Sequence, residues 1–178
     1  SPAGQMPAGR ATFPDLNVYG ASVRGQFGPG IANAETGYYQ SADDESGTDP
    51  LINNSEMRYL AGYTQEIATD LTAGVQYYVE QMLDYGAYRR TLPATISSRD
   101  HYRQVATLRL TQLLMNQNLQ LSLFTFYSPT DNDAHLRPNV YYKVSDNLAV
   151  EMGANIFVGH SPHTFFNQFE KNTNLYTA

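Results

Sequence analysis

Residues 119–127 read LQLSLFTFY, and this stretch decides the fold. Leu119, Leu121, Leu123 and Tyr127 fall on one side of an extended chain and Gln120 and Ser122 on the other. Alternation of period two marks a β-strand. Upstream, His101–Leu114 sets Tyr102, Ala106, Leu108 and Leu110 against Arg103, Thr107, Arg109 and Thr111. The run from Leu110 to Thr130 carries no charge and is long enough to suggest a membrane helix. Its centre, however, is Asn116-Gln117-Asn118, which suits a hairpin turn and would be costly in lipid. The run therefore reads as two strands and a turn.

The same alternation extends in both directions. Leu136–Ser145 places Leu136, Val140, Tyr142 and Val144 opposite Arg137, Asn139, Tyr141 and Lys143. Leu148–Val158 (LAVEMGANIFV) places Leu148, Val150, Met152, Ala154, Ile156 and Val158 opposite Glu151, Gly153 and Asn155. Leu71–Leu83 and Ser55–Ile67 behave likewise; Leu16–Phe27, Ile31–Ala42 and a partial strand at Asn174–Ala178 are weaker. The reading is all-β, with eight strands and the start of a ninth over residues 15–178. Residues 1–14, rich in Pro and Gly, read as loop or linker.

Composition narrows the classes further. The 178 residues include 11 Lys+Arg and 17 Asp+Glu, a net charge of −6. That balance speaks against a nucleic-acid partner. The absence of Cys excludes disulfide scaffolds, thiolate metal sites, Cys-attached haem and cysteine nucleophiles. Charged residues are only 16%, well under the roughly 25% of a soluble domain, while Tyr reaches 14 residues.

Face parity alone does not separate a soluble β-sandwich or lipocalin-like barrel from a membrane barrel, because both alternate. Three features favour the membrane. Most strands run longer than the usual 5–6 residues and match the roughly 9–11 of a tilted transmembrane strand. Tyr19, Tyr38, Tyr59, Tyr77, Tyr102, Tyr127 and Tyr142 lie on apolar faces near strand ends, as an interfacial girdle requires. Connections also alternate: short at 28–30, 68–70, 116–118 and 146–147, long at 43–54, 84–100 and 159–173, and intermediate at 128–134. Outer-membrane barrels pair short periplasmic turns with longer outside loops.

On these residues the chain resembles the Gram-negative outer-membrane porin-type β-barrels, and specifically the C-terminal portion of a larger one. The resemblance implies an antiparallel up-and-down transmembrane β-barrel in the bacterial outer membrane. It departs from the pattern in having no Trp and in stopping at NLYTA rather than at a terminal aromatic. The first connection is a short turn, so the first strand runs towards the periplasm. With both termini of such barrels periplasmic, an odd number of strands is expected to precede residue 15.

The face opposite the apolar residues collects Arg24, Glu35, Arg58, Glu80, Arg103, Arg109, Arg137, Lys143 and Glu151, the expected lumen lining, with Glu56, Glu66 and Asp84 near strand ends. With acids and bases mixed along this face, no selectivity follows from the sequence in either direction. No catalytic residue, metal ligand or cofactor is expected, and the chain is read as no enzyme. His101, His135, His160 and His163 read as loop residues. Asp43-Asp44-Glu45 with Asp49, and Asp131-Asn132-Asp133, offer oxygen ligands without the spacing of a calcium loop. Ser128, Asp131 and His135 supply triad residue types, but sequence proximity is not triad geometry. The expected function is a passive pore for small solutes, with outer-membrane lipid as partner. A barrel acting as sheath or scaffold for an electron-transfer cytochrome or export component is the alternative, and an outer-membrane enzyme working through loop residues is a third. A homo-oligomer and a periplasmic or extracellular protein are the partner classes open to it.

Overall fold

The computed structural model describes residues 13–94, 96–159, 164 and 166–178. Nine strands follow in chain order: β1 (Leu16–Phe27), β2 (Gly30–Ser41), β3 (Glu56–Ala68), β4 (Leu71–Met82), β5 (Tyr102–Leu114), β6 (Leu119–Ser128), β7 (Asp133–Ser145), β8 (Leu148–Val158) and β9 (Asn174–Thr177). They form one antiparallel up-and-down sheet in sequence order, and β1 and β9 are its two free edges. The sheet is open. The linker segment lies mostly outside the described residues, as do His160 and His163.

Turn chemistry sets the short rim. Gly28 has φ +58°, the left-handed conformation that a two-residue hairpin loop needs at its first position. Asp70 (φ +57°) and Asn116 (φ +54°) take the same conformation with residue types that tolerate it. Pro138 sits within β7 and has no N–H to give. There the β7–β8 pairing runs from Leu136↔Ile156 to Asn139↔Gly153, with no Arg137 or Pro138 partner between.

The connections on the other rim are 42–55, 83–101, 129–132 and 159–173. Three are long, as expected. The fourth is a correction: it is no longer than the turn at 115–118, because β6 and β7 keep pairing out to Ser128↔Asp133. Two further elements interrupt the long loops: a helix, α1 (Tyr85–Thr91), and a 3₁₀ helix, Asn167–Asn172.

Register fixes the stagger of the sheet. Val158, the last residue of β8, connects through Ala134, Tyr127, Ala106, Tyr77, Ala61 and Ala34 to Val23. Val23 lies seven residues inside β1 from Leu16, and seven strand steps separate β1 from β8. A stagger of one residue per strand, with a rise of about 3.4 Å and a spacing of about 4.8 Å, inclines the strands by about 35° to the common axis.

Register also fixes the faces. Every charged strand residue lies on one face, from Arg24 in β1 to Glu151 in β8. The opposite face has no Asp, Glu, Lys, Arg or His in any of the nine strands. Burial is inverted relative to a soluble sandwich. Among the described residues, the buried apolar side chains are Met82, Val105, Ala154 and Phe166. Val75, Tyr77, Val150, Met152 and Ile156, all on the uncharged face, stay exposed. Buried polar groups such as Glu56, Ser128 and Asp133 lie on the charged face towards the long-loop rim. This sheet has no core of its own on the apolar side.

Candidate functional site

All nine residues expected to line a lumen share the charged face, and all seven expected girdle tyrosines share the uncharged one. Tyr38, Tyr59 and Tyr77 step diagonally across β2, β3 and β4, one paired row per strand. Tyr59 stays three residues from the start of β3, but Tyr77 lies at the middle of β4 rather than near its end, a correction that follows from this diagonal.

The charged face divides into two zones. Near the long-loop rim, Arg58, Glu80 and Arg103 are cross-strand neighbours on one row. Arg58 Nη2 donates to Glu56 Oε2 at 2.8 Å, and Arg58 Nε lies 3.7 Å from Glu80 Oε2. Arg99, from the 83–101 connection, reaches back onto the same pair: its Nη2 is 3.0 Å from Glu56 Oε1 and 3.1 Å from Glu80 Oε1. Two acids and two bases therefore close a ring that pins the loop to the wall. Helix α1 holds Arg99 in place, since Tyr88 Oη accepts the Arg99 N–H at 3.0 Å and Tyr85 Oη donates to its carbonyl at 3.2 Å. Arg58 also stacks over the Tyr39 ring at 3.9 Å. Arg103 Nε pairs with Asp131 Oδ2 at 3.3 Å.

The 159–173 connection is tied to the same wall. The Phe166 N–H donates to Asp133 Oδ2 at 2.8 Å, and the Phe166 ring packs 5.7 Å from both Phe126 and His135. His135 stacks on Phe157 at 4.2 Å. Asp133 is 2% exposed, and its Oδ1 has no partner among the described residues. Phe124, Phe126 and Phe157 thus add to the aromatic surface that Tyr39, Tyr78 and Tyr141 place on the charged face. The parity of these phenylalanines opposite Leu121, Leu123 and Ile156 carries that signal in the sequence, independently of the charges.

Nearer the short turns the wall changes character. Arg109, Phe124 and Arg137 are direct cross-strand neighbours on β5, β6 and β7. The Arg109 guanidinium carbon lies 5.4 Å from the centre of the Phe124 ring. Neither arginine has an ion-pair or hydrogen-bond partner among the described residues, and both are exposed. The next row towards the turns is Thr111, Ser122, Asn139, Gly153 and Tyr176. There Asn139 Nδ2 donates to Glu151 Oε1 at 2.7 Å and to Tyr176 Oη at 3.1 Å. Lys143 is spent on Asp146 at 2.7 Å.

The remaining candidates resolve into loop structure. Asp44 Oδ2 accepts the Asp49 N–H at 2.7 Å and its Oδ1 the Ser46 hydroxyl at 3.0 Å. These backbone and hydroxyl donors, the Asp49 N–H foremost, hold the Asp44 carboxyl below its usual range. Asp43 Oδ2 takes the Asp15 N–H at 2.8 Å. Ser128 Oγ donates directly to Asp131 Oδ2 at 3.0 Å, while His135 Nε2 meets Asn155 Oδ1 at 3.4 Å, so the three residues do not form a relay. Among the described residues, no group of three His, Asp or Glu is placed to hold a metal ion, and no helix is long and apolar enough to cross a membrane, which says nothing of strands.

No family model matches the chain, and no curated protein or solved structure is significantly similar to it.

Proposed function

We propose that this chain is part of the wall of an outer-membrane, porin-type β-barrel that forms a passive pore for small solutes, with the charged face towards a water-filled lumen and the uncharged face towards lipid. One observation carries the reading: a nine-stranded sheet whose exposed apolar face holds no charged residue, and whose opposite face holds every charge in the strands. In water such a face would be left uncovered at a large cost, since each Å² of exposed apolar surface forfeits about 25 cal/mol. In lipid it is the required surface, where a midplane Lys or Arg costs about 2–4 kcal/mol.

The geometry supports the same reading. The inclination of about 35° lies at the edge of the 35–45° range of closed barrels. At that tilt β4 spans about 30 Å along the axis, the thickness of a hydrocarbon core. Nine is odd, so β1 and β9 run in the same direction and do not pair antiparallel with each other. Closure in lipid, which tolerates no open edge, takes an odd number of further strands. Inside such a barrel, the Arg99-pinned loop and the Phe166-anchored loop would narrow the lumen near its outer mouth.

Planar-bilayer recording of the full-length protein tests the function. The pore reading expects stepwise, voltage-tolerant conductance. A silent bilayer together with a stoichiometric co-purifying protein would replace it with the sheath reading.

A further inference from the structure

The unpaired row on β5–β7 has the composition of a ligand site. On the described charged face Arg58, Arg103 and Lys143 are each engaged by a carboxylate, as is Arg99 from the 83–101 loop, while Arg24, on the edge strand β1, stands alone opposite Asn33. Arg109 and Arg137 are not so engaged, and they flank the Phe124 ring one strand spacing away on either side, about 10 Å apart across the wall. A shallow hollow of about 420 Å³ opens over this row, within the range of small-molecule sites. Its far side is the hydroxyl and amide row of Ser122, Asn139 and Tyr176. The one acid lining it, Glu151, already accepts from Asn139 and sits two rows closer to the turns than Arg137. Two unspent guanidinium forks beside an aromatic ring match a ligand that is at once a carboxylate and a flat apolar body: the forks take the carboxylate and the ring takes the ring.

We propose that this hollow binds aromatic carboxylates of benzoate size. The assignment rests on the pore reading for access from the lumen, but the binding itself does not require conduction. Binding at this row would concentrate the solute at the wall beyond the narrowing made by the two loops and would make its flux saturable.

The test uses the full-length protein folded in detergent micelles and ¹⁹F NMR titration with 4-fluorobenzoate, with trifluoroacetate as a carboxylate lacking a ring. The expected result is saturable broadening of 4-fluorobenzoate, with an affinity at least about tenfold above that of trifluoroacetate. Arg109→Gln or Arg137→Gln should weaken it at least about tenfold, while Lys143→Gln, whose partner Asp146 lies in a turn, should leave it unchanged. Phe124→Leu should bring the two probes to similar affinity. Heat-modifiable gel migration checks folding; where a Gln variant does not fold, Arg→Lys at the same position keeps the charge but not the fork, and it should still weaken binding several-fold. Equal affinities for the two probes, or wild-type affinity in folded Arg109 and Arg137 variants, overturn the proposal. Ring-selective binding with a silent bilayer would sink the pore reading alone. Conduction without ring-selective binding would sink this one alone.

Discussion

Placing a guanidinium at position 75 separates lipid from water as the medium of the uncharged face. Val75 is 51% exposed, in the Tyr63–Val75–Leu108 row. It sits four residues from the start of β4, about 11 Å along the axis at the inclination deduced above and within about 5 Å of the strand's midpoint. If the face met water, Val75→Arg would cost no more than a typical surface substitution, within about 0.5 kcal/mol. In lipid the cost near the midplane is about 2–4 kcal/mol. Gln76→Arg is the matched control: one residue on, the same charge enters the polar face opposite Gly62 and Thr107. A second control, Leu148→Arg, falls at the first residue of β8, where depth is least and the expected cost is about 0–1 kcal/mol. Reversible urea unfolding of the full-length protein in phosphatidylcholine vesicles gives the three values. Equal costs for Val75→Arg and Gln76→Arg, or no gradient with depth, would refute the assignment of faces.

Two further outcomes follow from the loops. Arg99→Ala removes one base from the ring with Glu56 and Glu80 while Arg58 remains, so the sheet should stay folded and the 83–101 connection should loosen; tryptic cleavage after Arg89 or Arg90 should quicken several-fold, and an unchanged rate would show that the ring does not hold the loop. Because these donors hold the folded Asp44 carboxyl below the ordinary Asp value, its support for the 42–55 loop is present above that value and is lost as pH falls through the folded one; the protection factor of the Asp49 N–H, taken against the intrinsic exchange rate at each pH, should fall on acidification below about pH 4 in the wild type and be low at all pH values in Asp44→Asn.

The strands were legible because alternation over ten or more residues leaves little freedom in phase. Leu16–Phe27 and Leu148–Val158 match residue for residue, and other boundaries moved by one to three, as Asp133–Ser145 did against the expected Leu136–Ser145. Parity fixed the faces equally well, since a one-residue slip would move every charge to the other side. What alternation does not encode is contact between elements. Nothing local to Arg99 says that it meets Glu56 and Glu80, 43 and 19 residues away. Phe166 lies 33 residues from the Asp133 carboxylate that takes its N–H. The Arg109–Phe124–Arg137 row was hidden for the same reason: each residue was visible on its own strand, but only the register sets them side by side. Helix α1 is not legible in the sequence because seven residues within a loop carry too little periodicity.

The absence of Cys makes the central claim directly measurable. Single cysteines at positions 73–80 of β4, spin-labelled in the full-length protein in vesicles, report the medium at each side chain. The account predicts a strict period of two: high accessibility to oxygen and low accessibility to a water-soluble nickel chelate at 73, 75, 77 and 79, and the reverse at 74, 76, 78 and 80. High nickel accessibility at 75 and 77 would place the uncharged face in water and contradict it.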